Sequence, residues 1–146
     1  INKIPEDMNI ELNISCPNAE KKMIFEGIDK FLNNKRKWCI IKLSPNCDIK
    51  LVDNYYKQGF RQFHCCNTFP IEGGGLSGKF LIPYSTKLIK NIKEKYNDTV
   101  IIGGGGIKSK DEIDIYKKAG ANHFSISTLC FNPYKFYLFY YNYIQK

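Results

Sequence analysis

The sequence is poor in arginine. Of its 22 basic residues, 20 are lysines and only Arg36 and Arg61 are arginines, against 14 acidic residues. Proteins that bind phosphate backbones usually cluster their basic residues and use the arginine fork for paired hydrogen bonds. Here the lysines are scattered over every predicted helix, so the net charge of +8 favours a solvated lysine-rich surface over a nucleic-acid-binding protein.

Long apolar runs are also missing. No window of the sequence approaches the roughly 20 apolar residues that a membrane-spanning helix needs. No charged and then apolar leader with a small-residue cleavage site opens the chain either. We therefore expect a soluble protein of the cytoplasm that does not contact membranes.

Metal-ligand and disulfide patterns are absent as well. The six cysteines form no C-x-x-C pair, and they show no zinc-binding spacing with His64 and His123. Disulfide scaffolds and structural zinc sites both depend on such spacing. We therefore expect no metal site, and we expect most of the six thiols to be core or unreactive groups.

What the sequence does contain is a regular alternation of strand-like and helix-like segments. The five β-rich apolar runs are Ile10–Ile14, Trp38–Leu43, Phe63–Cys66, Val100–Ile102 and His123–Ile126. Parallel strands need long crossover connections, which are usually helices. The alternation therefore predicts an α/β fold with one parallel sheet, and the length of 146 residues predicts a single domain over 1–146.

A helix-period segment follows each predicted strand, and most of these segments carry a start or stop signal. The first has Ile24, Ile28, Phe31 and Leu32 on one face; the others are marked by a stop at Gly59, a start at Pro83, a capping box at Ser109 and Glu112 with a stop at Gly120, and Asn132 before Pro133. These signals predict five strand-helix units.

Polar and glycine residues lie at or just past the ends of these strands, where β/α folds build their sites. They are Cys16, Lys42, Asn67, Gly103–Gly106 and Thr128. An open doubly wound sheet would also place them there, but a glycine loop followed one strand later by Ser127-Thr128 is typical of the phosphate site after strands 7 and 8 of a β/α barrel. We therefore expect the last five units of an incomplete β/α (TIM) barrel.

Two glycine-rich segments are candidate ligand loops. "IIGGGGIKSKDE" is a strand, a glycine turn and a helix start, which leaves backbone N–H groups free to bind a phosphate. "GGGLSGKF" nearly matches the phosphate loop of NTPases, but Phe80 replaces the hydroxyl residue that would bind magnesium. The second segment therefore predicts a glycine surface against a flat ring system rather than an NTPase.

The motifs "ELNISCPN", "IKLSPN", "CNT", "GGLSGK" and "IIGGGGI", in that order, resemble those of the dihydroorotate dehydrogenase family of FMN flavoproteins. The resemblance covers essentially the whole chain and implies oxidation of dihydroorotate to orotate in pyrimidine biosynthesis. It implies that Cys16 is the catalytic base, which takes the C5 proton while hydride passes from C6 to FMN. A cysteine at this position resembles the soluble class 1 enzymes.

The resemblance also implies binding roles, each at a matching position. Asn13, Asn18, Asn67 and Thr68 would bind the pyrimidine, whose carbonyls and ring N–H groups match a carboxamide. The FMN-binding set would be Lys42 at the flavin ring, Gly74 and Gly75 behind it, and Gly105, Gly106, Ser127 and Thr128 at the phosphate. Ser127 departs from the family, in which glycine is usual.

Several alternatives fit parts of the sequence. The tRNA-dihydrouridine synthases also bind FMN and have an N-x-x-C-P segment, and a dihydropyrimidine dehydrogenase flavin domain shares still more motifs. A non-catalytic half barrel is the third alternative, docking through the aromatic run "YKFYLFYYNYI". The first three barrel strands are missing from this chain, so we expect an N-terminal barrel half or a homodimer partner to complete it.

Overall fold

A computed structural model describes residues 4–14, 27–65, 68–72 and 74–143. Its seven strands and four α-helices within these ranges are β1 (Ile10–Asn13), β2 (Cys39–Leu43), α1 (Ile49–Lys57), β3 (Gln62–Cys65), β4 (Phe69–Ile71), β5 (Gly74–Leu76), α2 (Ile82–Lys95), β6 (Val100–Gly104), α3 (Lys110–Ala119), β7 (His123–Ser125) and α4 (Pro133–Tyr143). Short 3-10 helices cover Ile28–Phe31, Gly78–Leu81 and Thr128–Phe131.

The main sheet contains five parallel strands in the order β1-β2-β3-β6-β7. These are the five strands that the sequence predicts, and every strand end lies within two residues of its predicted position. The largest shift is at β6, which continues to Gly104 instead of ending at Ile102, because Gly103 and Gly104 pair with Phe124 and Ser125 of β7. The first two glycines of the predicted loop are therefore strand residues.

One face of this sheet packs against the helices and forms the core. Ile41, Phe63 and Ile101 are register partners on β2, β3 and β6, and all three are fully buried. Tyr55 of α1 and Tyr116 of α3 are fully buried in the same cluster. Burial of this face holds each helix against its strand, so the carboxyl ends of β2, β3, β6 and β7 are fixed at one edge of the sheet.

The helix boundaries follow the predicted signals closely. The Ser109 side chain caps α3 and the Glu112 carboxylate accepts from the Ser109 backbone N–H at 2.7 Å, which is the predicted capping box. Gly120 ends this helix with a φ of 107°, a left-handed conformation that glycine adopts without steric cost. The first predicted helix differs: only a 3-10 turn at Ile28–Phe31 lies in the described residues, and Ile24 lies outside them.

The segment 69–76 forms an antiparallel hairpin of β4 and β5, where the sequence predicts a loop. Pro70 pairs with Gly75, and Phe69 pairs with Leu76. A hairpin this short carries too little periodicity for a strand to be recognised, and its two glycines disfavour strand on propensity alone. It adds a small second sheet beside the carboxyl end of β3.

The other face of the main sheet is covered less. Ile40 of β2 and Ile102 of β6 border a cavity of about 380 Å³ on this face, together with Trp38 and His123. Among the described residues, no further strand pairs with the outer edge of β1 or of β7. The arrangement is that of part of a β/α barrel, with the barrel interior represented by this second face. None of the described helices is long and apolar enough to cross a membrane.

Candidate functional site

A cavity of about 220 Å³ lies at the carboxyl ends of β2, β3, β6 and β7. Six residues predicted from the sequence to bind substrate or cofactor line it: Lys42, Thr68, Gly105, Gly106, Ser127 and Thr128. Small-molecule sites commonly enclose roughly 300 to 1,000 Å³. The cavity among the described residues is smaller than this range, and it lies at the strand ends where the sequence analysis expects a site.

Lys42 lies on the cavity face of β2, one position before the strand ends. Its ammonium Nζ is 3.3 Å from Glu11 Oε1 on β1, and the Lys42 side chain is 24% exposed. An ammonium group buried to this degree needs a nearby anion to offset its lost hydration. Glu11 is therefore a counter-ion of Lys42 at the cavity wall.

Glu11 also contacts His64, through the carboxylate oxygen that does not face Lys42. Glu11 Oε2 lies 2.7 Å from His64 Nδ1, and His64 Nε2 lies 2.7 Å from the Ser125 hydroxyl. The hydrogen bond from His64 lowers the pKa of the Glu11 carboxyl, with the charge of Lys42 acting in the same direction and partial burial opposing both. Glu11 is thus an ionised group shared between β2 and β3.

The glycine loop after β6 is shaped by a close backbone contact. Gly105 and Gly106 have φ values of 94° and 80°, a left-handed conformation that glycine tolerates best. A Cβ on Gly106 would lie 2.7 Å from the carbonyl oxygen of Gly78. The loop therefore packs directly on the 3-10 turn that follows the hairpin, so the two glycine-rich motifs form one wall of the cavity.

The Tyr116 hydroxyl supports this loop from beneath. It donates to the carbonyl oxygens of Gly104 and Gly105, the second at 2.8 Å, and Tyr116 is fully buried on α3. With these carbonyls directed at Tyr116, the loop has a fixed conformation. A preformed glycine loop can present backbone N–H groups to an anion without a large ordering cost.

Ser127 and Thr128 complete the wall next to the glycine loop. Thr128 begins the 3-10 helix at Thr128–Phe131, and both hydroxyl residues line the cavity. Hydroxyl groups and glycine N–H groups are donors suited to phosphate oxygens. The residues at this end of the cavity therefore carry the donor chemistry that a bound phosphate group requires.

The predicted residues outside this cavity fall into two groups. Gly74 and Gly75 belong to β5 and do not line it; a Cβ on Gly75 would lie 2.9 Å from the Cβ of Thr68, so this glycine allows the hairpin to pack against Thr68. Asn13 is the register partner of Lys42 on β1, but it also does not line the cavity.

Cys16, Asn18 and Asn67 lie outside the described residues. Their proposed roles in proton transfer and pyrimidine binding are therefore predictions from the sequence. The part of the chain that the structure describes contains no group of three or more acidic, histidine or cysteine side chains placed to bind a metal ion.

The sequence interpretation missed three residues at the site: Glu11, His64 and Ser125. Each lies on the face of the sheet that the helices do not cover; His64 and Ser125 line this cavity, and Glu11 borders the cavity of about 380 Å³ on the same face. Period-two alternation assigns such residues to one face of the sheet. A polar residue at an inner-face position of a predicted strand was therefore an available signal for all three.

Comparison with known proteins identifies the family. The sequence model of the family described as dihydroorotate dehydrogenase matches residues 2–137. The catalytic subunit of dihydroorotate dehydrogenase B (NAD(+)) from Oceanobacillus iheyensis is 30% identical, and the match covers 86% of this chain and 49% of that protein. A putative dihydroorotate dehydrogenase A (fumarate) from Aquifex aeolicus is 26% identical, with 83% and 48% covered. The chain therefore spans about half the length of these curated relatives.

Solved structures agree on the fold. The crystal structure of DHODH from Eimeria tenella in complex with ferulenol superposes with a TM-score of 0.56 at 24% identity, covering 64% of this chain and 29% of that one. The ligand-free type from the same organism gives a TM-score of 0.53 at 25% identity and covers 61% of this chain. Because the family model matches nearly the whole sequence, the chain belongs to the dihydroorotate dehydrogenase family.

Proposed function

We propose that the full-length protein oxidises dihydroorotate to orotate with FMN as cofactor. The observation that carries the proposal is the shared cavity: Lys42, the glycine loop at Gly105–Gly106, and Ser127 with Thr128 line one space at the carboxyl ends of four parallel strands. A β/α fold builds its site at this edge. The family membership supplies the substrate class.

In this proposal Gly105, Gly106, Ser127 and Thr128 bind the phosphate of FMN. Their donors are backbone N–H and hydroxyl groups, and the hydrogen bonds of Tyr116 fix the loop before the ligand arrives. Lys42 would bring its positive charge to the flavin ring. Its ion pair with Glu11 and its low exposure of 24% hold the ammonium group in place at the cavity wall. Such a fixed cation stabilises negative charge that develops nearby during reaction.

Cys16 would act as the general base. A thiol serves this role because modest changes in its surroundings bring its pKa close to neutral pH. Bound FMN would supply the acceptor for the hydride that leaves C6, while Cys16 takes the proton from C5. Asn13, Asn18, Asn67 and Thr68 would orient the pyrimidine through its carbonyl and N–H groups. Gly74 and Gly75 are proposed to approach the flavin once the site is complete.

We also propose that further protein covers the second face of the sheet. Ile40, Ile102 and Trp38 border a cavity on this face, and apolar side chains inside a β/α barrel are normally packed against the opposite strands. A homodimer partner is the alternative to an N-terminal barrel half. Flavin binding by the full-length protein but not by residues 1–146 alone would support the barrel half; equal binding would count against it.

The electron acceptor is a separate part of the proposal. The relatives named above include both an NAD(+) type and a fumarate type. We propose a soluble class 1 enzyme of the cytoplasm, and the two acceptors can be distinguished by adding each to the reduced full-length protein under anaerobic conditions. Reoxidation by fumarate but not by NAD(+) would indicate the fumarate type, and the reverse would indicate the NAD(+) type. Reoxidation by neither would indicate that another subunit carries the electrons.

The decisive experiment is anaerobic bleaching of flavin absorbance on addition of dihydroorotate, with the full-length protein and its Cys16→Ala variant. Rapid bleaching that is lost or greatly slowed in the variant supports the substrate and the base together. Cys130→Ala is the matched control, because Cys130 is an exposed thiol that does not line the cavity. Flavin that binds but is not reduced by dihydroorotate would contradict the proposed substrate, and failure to bind flavin would contradict the proposal as a whole.

A further inference from the structure

Glu11, His64 and Ser125 form a hydrogen-bonded chain across the cavity face of the sheet. His64 lies 2.7 Å from Glu11 through Nδ1 and 2.7 Å from the Ser125 hydroxyl through Nε2. The second contact passes over β6, where Gly104 is the register partner of Ser125. Gly104 has no side chain that would separate His64 from Ser125. His64 is only 7% exposed, so this chain is held inside the fold rather than at its surface.

When His64 is neutral, the chemistry of the three groups fixes the direction of each hydrogen bond. An ionised carboxylate only accepts, so Nδ1 of His64 must carry the proton that Glu11 receives. A neutral imidazole protonated at Nδ1 has a lone pair at Nε2, and this nitrogen then accepts from the Ser125 hydroxyl. The single hydroxyl proton of Ser125 is thereby directed at His64, away from the cavity that both residues line.

We infer that His64 is a positioning residue that presents the Ser125 oxygen to the cavity as a hydrogen-bond acceptor. The cavity would then select, at this point, a ligand group that carries an N–H or O–H donor. The inference rests on the proposed function only for the identity of that ligand, a flavin nucleotide, whose donors are its ribityl hydroxyls and ring N–H group. Phosphate oxygens accept only, so Ser125 disfavours the phosphate and leaves it to the glycine loop.

Protonation of His64 would reverse this polarity. With protons on both ring nitrogens, Nε2 donates to Ser125, and the hydroxyl proton is released toward the cavity. The charged and titratable groups on the same face are Glu11 on β1, Lys42 on β2 and His123 on β7; β6 contributes only the uncharged Val100, Ile102 and Gly104 there. His123 packs edge-on against Trp38 at 5.2 Å between ring centroids, so its signal must be separated from that of His64.

The first test observes the tautomer of His64 directly. Nitrogen-15 NMR of the full-length protein with labelled histidine distinguishes a protonated ring nitrogen from one with a lone pair, and His64→Gln assigns the signal by difference. We expect Nδ1 to be protonated and Nε2 to be free of a proton in the neutral form. In Glu11→Gln, whose amide can either donate or accept, we expect a mixture of the two tautomers. A neutral His64 protonated at Nε2 in the wild-type protein would overturn the inference, whether or not flavin binds.

The second test measures FMN affinity by fluorescence quenching across pH. Ser125→Ala should weaken binding roughly three- to tenfold near neutral pH, the loss expected for one neutral hydrogen bond. It should also flatten any change in affinity that follows the titration of His64 seen by NMR. Ser44→Ala is the matched control, since Ser44 does not line the cavity and its hydroxyl is engaged by Asn46.

The two tests separate failure of this inference from failure of the proposed function. An Nδ1-protonated His64 with wild-type FMN affinity in Ser125→Ala would overturn the selecting role of Ser125 while leaving the flavin proposal intact. Absence of FMN binding in the wild-type full-length protein would overturn the proposed function, and with it the flavin as the ligand that Ser125 selects. The tautomer measurement would still decide whether His64 fixes the polarity of the serine.

Discussion

Gly106 lies against the backbone of Gly78, so closely that a Cβ on Gly106 would be 2.7 Å from the Gly78 carbonyl oxygen. This contact joins the loop after β6 to the 3-10 turn after the hairpin. The two segments are 28 positions apart in the sequence, yet they form one wall of the cavity. Backbone, not side chains, therefore sets the distance between the two glycine-rich motifs.

We expect Gly106→Ala to destabilise the protein by at least about 1–3 kcal/mol, the usual cost of a non-glycine residue in a rare backbone conformation. Gly106 has a φ of 80°, and the new methyl group would also collide with backbone that cannot rotate away. Urea denaturation of the full-length protein measures the loss.

Gly74→Ala is the matched control for this substitution. A Cβ at Gly74 would have no heavy atom within 4 Å, so the same chemical change meets no obstacle. We expect Gly74→Ala to change the free energy of unfolding by less than about 0.5 kcal/mol. Equal losses in the two variants would show that the contact between Gly106 and Gly78 does not constrain the loop.

Much of this fold was predictable because the parallel strands are strongly patterned. β2 alternates buried Cys39, Ile41 and Leu43 with less buried Ile40 and Lys42, and a helix with clear punctuation follows several of the strands. Such segments carry their structure in local periodicity. The capping box at Ser109 is a further local signal, and the structure contains it.

The site was predictable only in part. Its glycine loop and its two hydroxyl residues follow strand ends, and the structure places them in one cavity with Lys42. The hairpin at 69–76 and the partners of Lys42 were not recognised. Glu11, His64 and Ser125 stand on three strands, and only the register of the sheet brings them within hydrogen-bond distance. A sequence read without that register treats each as an isolated polar residue.

A second prediction concerns acid stability. Because the pKa of Glu11 is lowered in the folded protein, chiefly by the hydrogen bond from His64, its ionised form favours the folded state. This contribution is fully present above the unfolded-state pKa of about 4.3 and is lost as pH falls through the folded value. We expect Glu11→Gln to be less stable than wild type at pH 7 and the difference to shrink below about pH 4.

The expected difference at neutral pH is on the order of 1 kcal/mol or less, since exposed ion pairs contribute little and about a third of the Glu11 side chain, 34%, is exposed. Urea denaturation of the full-length protein at pH 7, 5, 4 and 3 would measure it. Glu94→Gln removes an exposed carboxylate of α2 and serves as the control. A gap between wild type and Glu11→Gln that stays constant from pH 7 to pH 3 would refute the linkage.

A third prediction concerns the support of the glycine loop. Tyr116→Phe removes the hydroxyl that donates to the carbonyl oxygens of Gly104 and Gly105 while it keeps the buried ring. We expect a loss of about 1–3 kcal/mol in the free energy of unfolding, because the buried carbonyl of Gly104 and the partly buried carbonyl of Gly105 lose this donor. On the proposed function, FMN should also bind more weakly to the loosened loop.

Tyr134→Phe is the control for the missing hydroxyl, since Tyr134 is 71% exposed on α4. Urea denaturation and FMN fluorescence quenching of the two variants separate the effects. If Tyr116→Phe lost stability but bound FMN like wild type, the hydroxyl would support the fold without preparing a phosphate site.

The last prediction concerns the charge of Lys42. Lys42→Met keeps the length of the side chain but removes the ammonium group that lies 3.3 Å from Glu11 Oε1. On the proposed function, we expect reduction of bound flavin by dihydroorotate to slow roughly tenfold to a hundredfold, because a fixed charge no longer stabilises the reduced ring. Stopped-flow absorbance of the anaerobic full-length protein measures the rate. Lys50→Met, on the exposed surface of α1, is the matched control. Normal flavin affinity together with a normal reduction rate in Lys42→Met would remove Lys42 from the reaction and leave it as the structural counter-ion of Glu11.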